Sequence, residues 1–222
     1  MTDVLIAPDD VPALAASFET ASPGRVLRWA GDAFGSSLAL ASSFEDPVLL
    51  HMAAAAVPGI EVLFLDTQFH FAETLWYMEE LRAQLGLNIT VMRPTVERSN
   101  LWQSDLAGCC GIRKVEPLNR GLAGKAAWVT GLRRVDAPTR ATTPVVEWDA
   151  RRAMVKINPL ATWTDEDMAG YISDHQLLTH PLAERGFGSI GCWPCTRPVA
   201  PGEDRRAGRW AGSDKTECGL HV

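Results

Sequence analysis

Residues 60–67 of the chain have the sequence IEVLFLDT, an apolar run that stops at an aspartate and a threonine. This run is the clearest strand that the sequence predicts. Residues 69–86 then predict a helix, with one buried face marked by apolar residues spaced three or four apart: Phe71, Leu75, Met78, Leu81 and Leu85. A strand that leads directly into a helix is typical of α/β proteins.

The same alternation continues on both sides of this unit. Short apolar runs predict further strands at residues 38–41, 88–92, 126–130 and 154–157, and helices are predicted between them. The predicted fold class is therefore α/β, a mainly parallel sheet with flanking helices. Ligands of such sheets bind at the carboxyl ends of the strands. Four polar segments are expected to meet there, namely residues 42–46, residues 66–71, the turn before Cys109 and residues 131–140.

The C-terminal part of the chain has a different composition. After residue 186 Gly, Pro and Arg dominate and no apolar periodicity survives, which predicts loop and tail. A length of 222 residues suits one domain with an appended tail. We expect an α/β domain over residues 1–200 and a flexible tail over residues 201–222.

Composition and charge narrow the class of protein. Hydrophobic residues make up 46% of the chain and charged residues 22%, as in globular proteins. Neither a membrane span nor a signal peptide is expected, so the predicted location is cytoplasmic. The net charge of −6 argues against nucleic-acid binding. Residues 113–140 nevertheless carry seven Lys and Arg against two acidic residues, which indicates either a site for a small anion or a solvated basic face.

Four of the five cysteines fall into two pairs. Cys192 and Cys195 form a CxxC motif, which alone fits a zinc half-site, an iron–sulfur half-site or a redox pair. Cys109 and Cys110 are adjacent, and neighbouring side chains on a helix diverge by about 100°. Adjacent thiolates reach separate corners of a cube more easily than one ion, so the four cysteines suit a [4Fe–4S] cluster. Structural zinc remains an alternative, as do two buried cysteines that only pack.

The fifth cysteine, Cys218, stands apart in the sequence KTECGLH at residues 215–221. The nearby lysine and histidine are expected to lower the pKa of its thiol. Upstream, residues 205–210 have the sequence RRAGRW, which supplies three guanidinium groups suited to phosphate or sulfate. This pattern predicts a nucleophile delivered to an anionic substrate. The alternative is an exposed thiol without a role.

Taken together, these motifs resemble the assimilatory adenosine 5′-phosphosulfate (APS) reductases of the PAPS/APS reductase family, from about Leu38 to the C-terminus. The markers are SSFED at 42–46, LDT at 65–67, CCGIRK at 109–114, TGLRR at 130–134, CWPC at 192–195, RAGRW at 206–210 and ECGLH at 217–221. The resemblance implies an adenine-nucleotide α-hydrolase-like (Rossmann-like) fold. It also implies a [4Fe–4S] cluster on Cys109, Cys110, Cys192 and Cys195, so that residues 1–200 would bind both nucleotide and cluster.

The resemblance further implies the reaction. Cys218 would attack the sulfur of APS, AMP would leave, and thioredoxin or a similar dithiol would release sulfite from a Cys218 S-sulfonate. The four cluster cysteines favour APS over its 3′-phosphorylated form, PAPS. The implied nucleotide contacts are Ser42, Ser43 and Arg133 or Arg134, with Asp66 as either a helix cap or a ribose contact. The implied phosphosulfate contacts are Lys114, Arg206, Arg209 and His221.

Elementary electrostatics agrees with these implied roles. A thiolate and a bound anion about 4 Å apart repel by roughly 4 kcal/mol at an effective dielectric constant near 20, so cations must surround the site. Lys114 follows Cys110 by four residues and is predicted to lie between cluster and substrate.

Other functions stay open on the sequence alone. The chain could be a PAPS reductase, an ATP-using sulfurtransferase, or a non-catalytic metal or redox-sensing module. The loop at residues 42–46 lacks the glycines of the SGGxD pyrophosphate loop, which argues against ATP cleavage. Cys218 and His221 argue against a sensor, because a metal scaffold does not need them. The sequence also leaves open whether copies of the chain form a homo-oligomer.

Overall fold

The computed structural model describes residues 6–221, in which a six-stranded sheet is flanked by helices. The strands lie in the order β3-β2-β1-β4-β6-β5. All neighbours pair in parallel except β5 and β6, which are antiparallel. The strand bounds are β1 Leu38–Ser42, β2 Glu61–Leu65, β3 Asn88–Met92, β4 Ala127–Val129, β5 Val146–Asp149 and β6 Met154–Ile157.

Within residues 6–221, seven α-helices connect and cover these strands: α1 Val11–Phe18, α2 Pro23–Phe34, α3 Val48–Ala56, α4 Ala72–Leu85, α5 Leu106–Cys110, α6 Glu116–Gly121 and α7 Asp165–Asp174. One turn of π-helix, Gly111–Val115, joins α5 to α6. Helix α7 begins with a capping box, in which Thr164 and Asp167 exchange hydrogen bonds with each other's backbone. No helix within residues 6–221 is long and apolar enough to cross a membrane.

The central strands are buried on both faces, as a parallel sheet requires. Leu38 and Leu40 of β1 point into the larger hydrophobic cluster, whereas Ala39 points into a smaller cluster on the opposite face. This alternation follows from the two-residue period of a strand. The smaller cluster contains the fully buried Trp128 of β4 and is contacted by Leu220 near the end of the chain.

Two local predictions are wrong. Leu75 is 40% exposed, whereas Tyr77 of the same helix is fully buried. The Tyr77 hydroxyl donates to the carbonyl of Leu178 at 2.7 Å, so the polar tip of this side chain is satisfied inside the protein. Strand β5 was also not predicted, because its sequence, VEWD, mixes charged and apolar residues at the sheet edge.

The C-terminal segment from residue 186 to 221 contains one 3₁₀ turn, Trp193–Cys195, and no α-helix or longer strand. The predicted lack of regular structure is therefore confirmed. The segment nevertheless folds back on the sheet, with Trp210 only 4% exposed. A single bridge pairs Thr196 with Arg209, and it joins residues on both sides of the domain boundary predicted at residue 200.

Candidate active site

The strand order reverses between β1 and β4, because β1 leads to β2 on one side and pairs with β4 on the other. Doubly wound sheets bind ligands at such a reversal, beyond the carboxyl ends of the strands. A cavity of about 430 Å³ lies there. Its walls include the loops after β1 and β4, part of α7 and the C-terminal segment.

Most residues predicted to bind substrate line this cavity: Ser42, Ser43, Lys114, Arg133, Arg206, Arg209, Cys218 and His221. Arg134 and Asp66 do not, which corrects their predicted placement. The Arg134 guanidinium forms a two-pronged ion pair with Glu19 at 2.6 and 2.9 Å. Asp66 accepts from the backbone N–H of Gln68 and from Arg93, at 2.9 and 3.0 Å.

The cations near the β1 and β4 loops are paired with carboxylates. Arg133 is 4% exposed, and its Nη2 donates to both Asp136 and Asp165 at 2.8 Å. Arg205 donates to Asp136 at 2.5 Å and lies 3.5 Å from Glu45. The positive charge at this end of the cavity is therefore largely balanced.

The cations at the other end have fewer acidic partners. Arg209 donates to Ser189 Oγ at 3.1 Å and to the carbonyl of Ile190 at 3.4 Å, and it pairs with no carboxylate in the described part of the chain. Among the described residues, the Arg206 guanidinium has one carboxylate within 4 Å, that of Glu217 at 3.9 Å. Burial, Arg140 and Arg209 lower the pKa of Arg206. Such crowding of cations favours a bound anion.

Lys114 lies between this cavity and a second, smaller pocket, because it lines both. Burial alone would lower the pKa of Lys114, but the facing Cys192 and Cys218 outweigh burial and raise it. Within residues 6–221 its ammonium group pairs with no carboxylate. With no carboxylate partner among these residues, the ammonium group of Lys114 is available to an anion in the cavity.

The second pocket brings together the paired cysteines, Cys109, Cys110, Cys192 and Cys195. All four are free thiols. Burial raises the pKa of Cys109 and Cys110, and raises that of Cys195 to about 11. Cys192 Sγ lies 3.3 Å from the hydroxyl of Thr67. The other lining residues are mostly apolar: Phe69, Trp102, Leu106, Pro194 and Trp210, with the cations Arg113, Lys114 and Arg209.

The possible metal ligands of this pocket are its four thiols. Across residues 6–221, no three His, Cys, Asp or Glu side chains converge as the ligands of a single metal ion do. Four soft thiol donors around one small apolar pocket are the ligands that iron–sulfur clusters take. The π-helical turn that follows Cys110 is a distortion often found at functional sites.

An ion pair, a hydrogen bond and a ring stack are among the contacts that hold the C-terminal residues against the cavity. The Glu217 carboxylate accepts from Nε and Nη2 of Arg140, both at 2.7 Å. The carbonyl of Leu220 accepts from Arg152 at 3.2 Å. The ring of His221 stacks on Trp128, with centroids 5.7 Å apart and an interplanar angle of 5°.

Burial, Lys156 and Arg140 lower the pKa of His221 well below its usual range, so its imidazole is neutral at pH 7. Sequence reasoning assigned no site role to Arg140, Glu217 and Trp128. The excess of basic residues at 113–140 was the available signal for Arg140, and the ECGLH motif was the signal for Glu217. Trp128 sits in the fourth predicted strand, where a tryptophan is usually a core residue.

Trp210 separates the two pockets and lines both. Its backbone N–H donates to the carbonyl of Cys195 at 2.9 Å, and the Arg209 guanidinium lies 4.6 Å from its ring centroid. Trp210 has a φ of 49°, a left-handed conformation that is strained for a bulky side chain. Such strain often marks a functional site.

Comparison with known proteins decides the family. The profile of the phosphoadenosine phosphosulfate reductase domain matches residues 37–198. The chain belongs to this family. A protein of Streptomyces coelicolor named adenosine 5′-phosphosulfate reductase is 48% identical over 211 residues, which cover 91% of this chain and 89% of the relative. One of the same name from Mycolicibacterium smegmatis is 49% identical over 216 residues, with 94% and 92% covered.

Solved structures support the fold of this family member. The phosphoadenylyl-sulfate reductase of Candida auris, in a phosphate complex, aligns with a TM-score of 0.76 at 26% identity, covering 89% of this chain and all of that one. FMN adenylyltransferase of Candida glabrata aligns at 0.62 with 14% identity, over 88% and 68% of the two chains, and shows the fold alone. The predicted adenine-nucleotide α-hydrolase-like fold and the family resemblance are confirmed.

Proposed function

We propose that this protein reduces adenosine 5′-phosphosulfate to sulfite and AMP in sulfate assimilation. The observation that carries the proposal is the position of Cys218, a free thiol on a cavity where Lys114, Arg206 and Arg209 have few or no carboxylate partners. The cavity lies where this class of sheet binds nucleotides. Curated relatives that bear the corresponding name match more than nine-tenths of the chain.

The reaction has two steps in which atoms and electrons balance. The Cys218 thiolate attacks the sulfur of APS, an S–S bond forms, and the bond from sulfur to the phosphate oxygen breaks. AMP leaves with that electron pair, and a Cys218 S-sulfonate remains. A dithiol, thioredoxin or a similar protein, then attacks Cys218 Sγ and releases sulfite. Its second thiol attacks the mixed disulfide that results and frees Cys218, so that the dithiol supplies the two electrons and is left as a disulfide.

The cations at the Cys218 end lower the energy of the first step. An attacking thiolate and a phosphosulfate are both negative, and their repulsion at about 4 Å is worth roughly 4 kcal/mol. Lys114, Arg206 and Arg209 offset this repulsion and stabilise the charge that develops on the leaving phosphate. The neutral His221 contributes one N–H donor without adding charge. These three cations and His221 are our proposed phosphosulfate contacts.

The other end of the cavity suits the nucleoside. Ser42 and Ser43 end strand β1, and the Ser42 hydroxyl accepts from the backbone N–H of Phe44 at 3.0 Å. That bond turns the chain toward α3 and leaves the loop facing the cavity. Arg133 is held by two carboxylates, so it is proposed to shape the nucleotide site rather than to neutralise the phosphosulfate.

Cys109, Cys110, Cys192 and Cys195 would hold a [4Fe–4S] cluster. When bound, such a cluster would act electrostatically, beside Lys114 at the wall between the two pockets. Iron and acid-labile sulfide analysis, together with the visible absorption of the purified protein, tests this assignment. Iron and sulfide in equal amounts support a cluster, whereas zinc without sulfide contradicts it.

We propose a cytoplasmic location, because a nucleophilic Cys218 and metal-binding cysteines both need a compartment that keeps thiols reduced. We propose that the two predicted parts of the chain have different functions. Residues 1–200 carry the sheet and the paired cysteines, and residues 201–222 carry the nucleophile as a tail that opens for the dithiol.

The decisive experiment is the intact mass of the protein after anaerobic incubation with APS and no reductant. We expect one sulfonate adduct on Cys218, and none on Cys218→Ser, which keeps AMP binding and metal content. An adduct from PAPS alone would keep the chemistry and change the substrate. No adduct from either compound, in protein that holds its metal, would contradict the proposed reaction.

A further inference from the structure

The ion pair between Glu217 and Arg140 has the shortest hydrogen bonds between residues 211–221 and the loop that follows β4. Both side chains are largely buried, at 11% and 12% exposure. The Glu217 carboxylate accepts twice from Arg140 at 2.7 Å and a third time from the Thr139 hydroxyl at 3.3 Å. Two-pronged pairs of this kind fix direction as well as distance.

The reactive thiol belongs to the next residue, Cys218. Residues 211–221 lie in no helix or strand, so hydrogen bonds from side chains largely fix their position. The bonds from arginines to the backbone of this segment are longer than the Glu217 pair: Arg152 to the carbonyl of Leu220 at 3.2 Å, Arg206 to that of Thr216 at 3.4 Å, and Arg151 to that of Gly219 at 3.4 Å. The Glu217 pair is therefore the short anchor nearest to the thiol.

Arg140 is itself anchored to the rigid side of the cavity. Its Nη1 lies 3.5 Å from Asp136, which also accepts from Arg133 and Arg205. The ion pair thus links the C-terminal segment to the loop that follows β4. Because Glu217 neutralises Arg140, this arginine differs from the cations that have few or no acidic partners near Cys218.

We propose that Glu217 and Arg140 are positioning residues, which together hold Cys218 at the anion end of the cavity. The predicted effect on turnover rests on the proposed function, but the docking of the segment does not. Loss of the pair should release residues 211–221 and lower the fraction of molecules with the thiol in place. Both side chains line the cavity, but substrate binding should change little, because they neutralise each other and are not among the proposed phosphosulfate contacts.

The test compares Glu217→Gln with Glu19→Gln, the same change in a two-pronged glutamate–arginine pair outside the cavity. Three quantities are measured: limited proteolysis of the C-terminal segment, alkylation of Cys218 by iodoacetamide, and sulfite formation from APS. We expect Glu217→Gln to speed both cleavage and alkylation, and to lower kcat about tenfold with KM within twofold. Glu19→Gln should match the unaltered protein in all three.

Further variants separate positioning from direct binding. Arg140→Lys keeps the charge but loses the fork, so it should fall between Arg140→Ala and the unaltered protein. The double variant Glu217→Gln/Arg140→Ala should be no slower than Arg140→Ala alone, because the residues act as one unit. If Arg140→Ala raises KM while Glu217→Gln changes none of the three quantities, the proposal is wrong. Thermal unfolding checks the fold, and Glu217→Asp gives a second, milder variant if Glu217→Gln does not fold.

Failure of this proposal can be told from failure of the proposed function, because proteolysis and alkylation need no substrate. If APS yields no adduct yet Glu217→Gln frees the segment, the docking is supported and the reaction is wrong. If APS yields the adduct and Glu217→Gln changes neither the segment nor kcat, the positioning role is wrong and the reaction stands.

Discussion

The two ends of the cavity contain similar residues in different electrostatic states. At the end near the β1 and β4 loops, which we call the sheet end, Arg133 and Arg205 share the carboxylates of Asp136, Asp165 and Glu45. At the end near Cys218, which we call the thiol end, Lys114 and Arg209 pair with no carboxylate of the described residues. A count of basic residues therefore does not identify a binding site. The cations that can take a substrate are those without an acidic partner.

This difference assigns the two sets of cations to different tasks. A paired, buried arginine holds loops together, and its removal leaves carboxylates without compensation. An unpaired cation contributes little to folding but strongly to the energy of a bound anion. Substitutions in the two sets should therefore separate stability from activity.

Lys114→Met should have the largest effect on activity. It removes an unpaired charge that faces both Cys218 and the cysteine pocket. We expect the rate of S-sulfonate formation to fall about a hundredfold, as when a preorganised donor is lost from a reacting site. Quenched-flow mass spectrometry measures the rate.

Lys114→Arg is the control that keeps the charge, and iron content reports on the cysteine pocket. If Lys114→Met reacts at more than half the original rate with its metal retained, the distinction between paired and unpaired cations has no functional meaning.

Arg133→Met should chiefly affect stability. The substitution removes one of the two arginines shared by Asp136, with 11% of its side chain exposed, and the more exposed Asp165, and it leaves them only Arg205, at 2.5 and 3.6 Å, as a shared partner. We expect the free energy of unfolding to fall by about 2 kcal/mol, while Lys114→Met changes it far less. Urea denaturation at pH 7.5 measures both. If Arg133→Met and Lys114→Met lose equal stability, the paired cations do not stabilise the fold more than the unpaired ones.

Asp46→Asn should show that an ionised carboxylate among the acidic residues at the sheet end lowers the stability of the folded protein. Burial and the neighbouring Glu45 raise the pKa of Asp46 to about 6 from its ordinary 3.8. The folded state thus holds this proton more tightly than the unfolded state, and the ionised carboxylate costs stability as pH rises from about 4 to 6. The asparagine carbonyl can still accept from the Val48 N–H, as the carboxylate does at 3.1 Å.

We therefore expect Asp46→Asn to stabilise the protein by up to about 3 kcal/mol above pH 7, with no gain near pH 4. Thermal or urea unfolding across this pH range provides the measurement. A gain that is independent of pH would show that the carboxyl group is not the cause.

Much of the fold follows from local sequence, because each strand of the parallel core is a short apolar run between helices. The run at residues 60–65 contains β2, and the break at Pro23 coincides with the start of α2. Strand β5 was not predicted, because an edge strand is stabilised by its partner β6 rather than by its own apolar pattern. Leu75 was wrongly placed on the buried face of α4, and Tyr77 was missed there, because apolar spacing does not show that a tyrosine hydroxyl finds a polar partner inside the protein.

The site was predictable where chemistry selects the residue type. The two cysteine pairs stood out by residue type and spacing, and the structure brings Cys109 and Cys110 beside Cys192 and Cys195. Arginines are harder, because their role depends on partners distant in sequence. Arg140 meets Glu217 across 77 positions, and no local pattern shows such a pair.

Arg134→Ala should have the smallest effect, because this arginine forms its ion pair outside the cavity. Arg134 adjoins Arg133 in sequence, yet its guanidinium pairs with Glu19 at the surface and its Nε donates to the carbonyl of Thr143 at 2.8 Å. Exposed pairs of this kind contribute less than about 1 kcal/mol. We expect kcat and KM for APS to stay within twofold, whereas Arg133→Met loses stability. A raised KM in Arg134→Ala would return this arginine to the nucleotide site, and pairing in the structure would then be a poor guide to function.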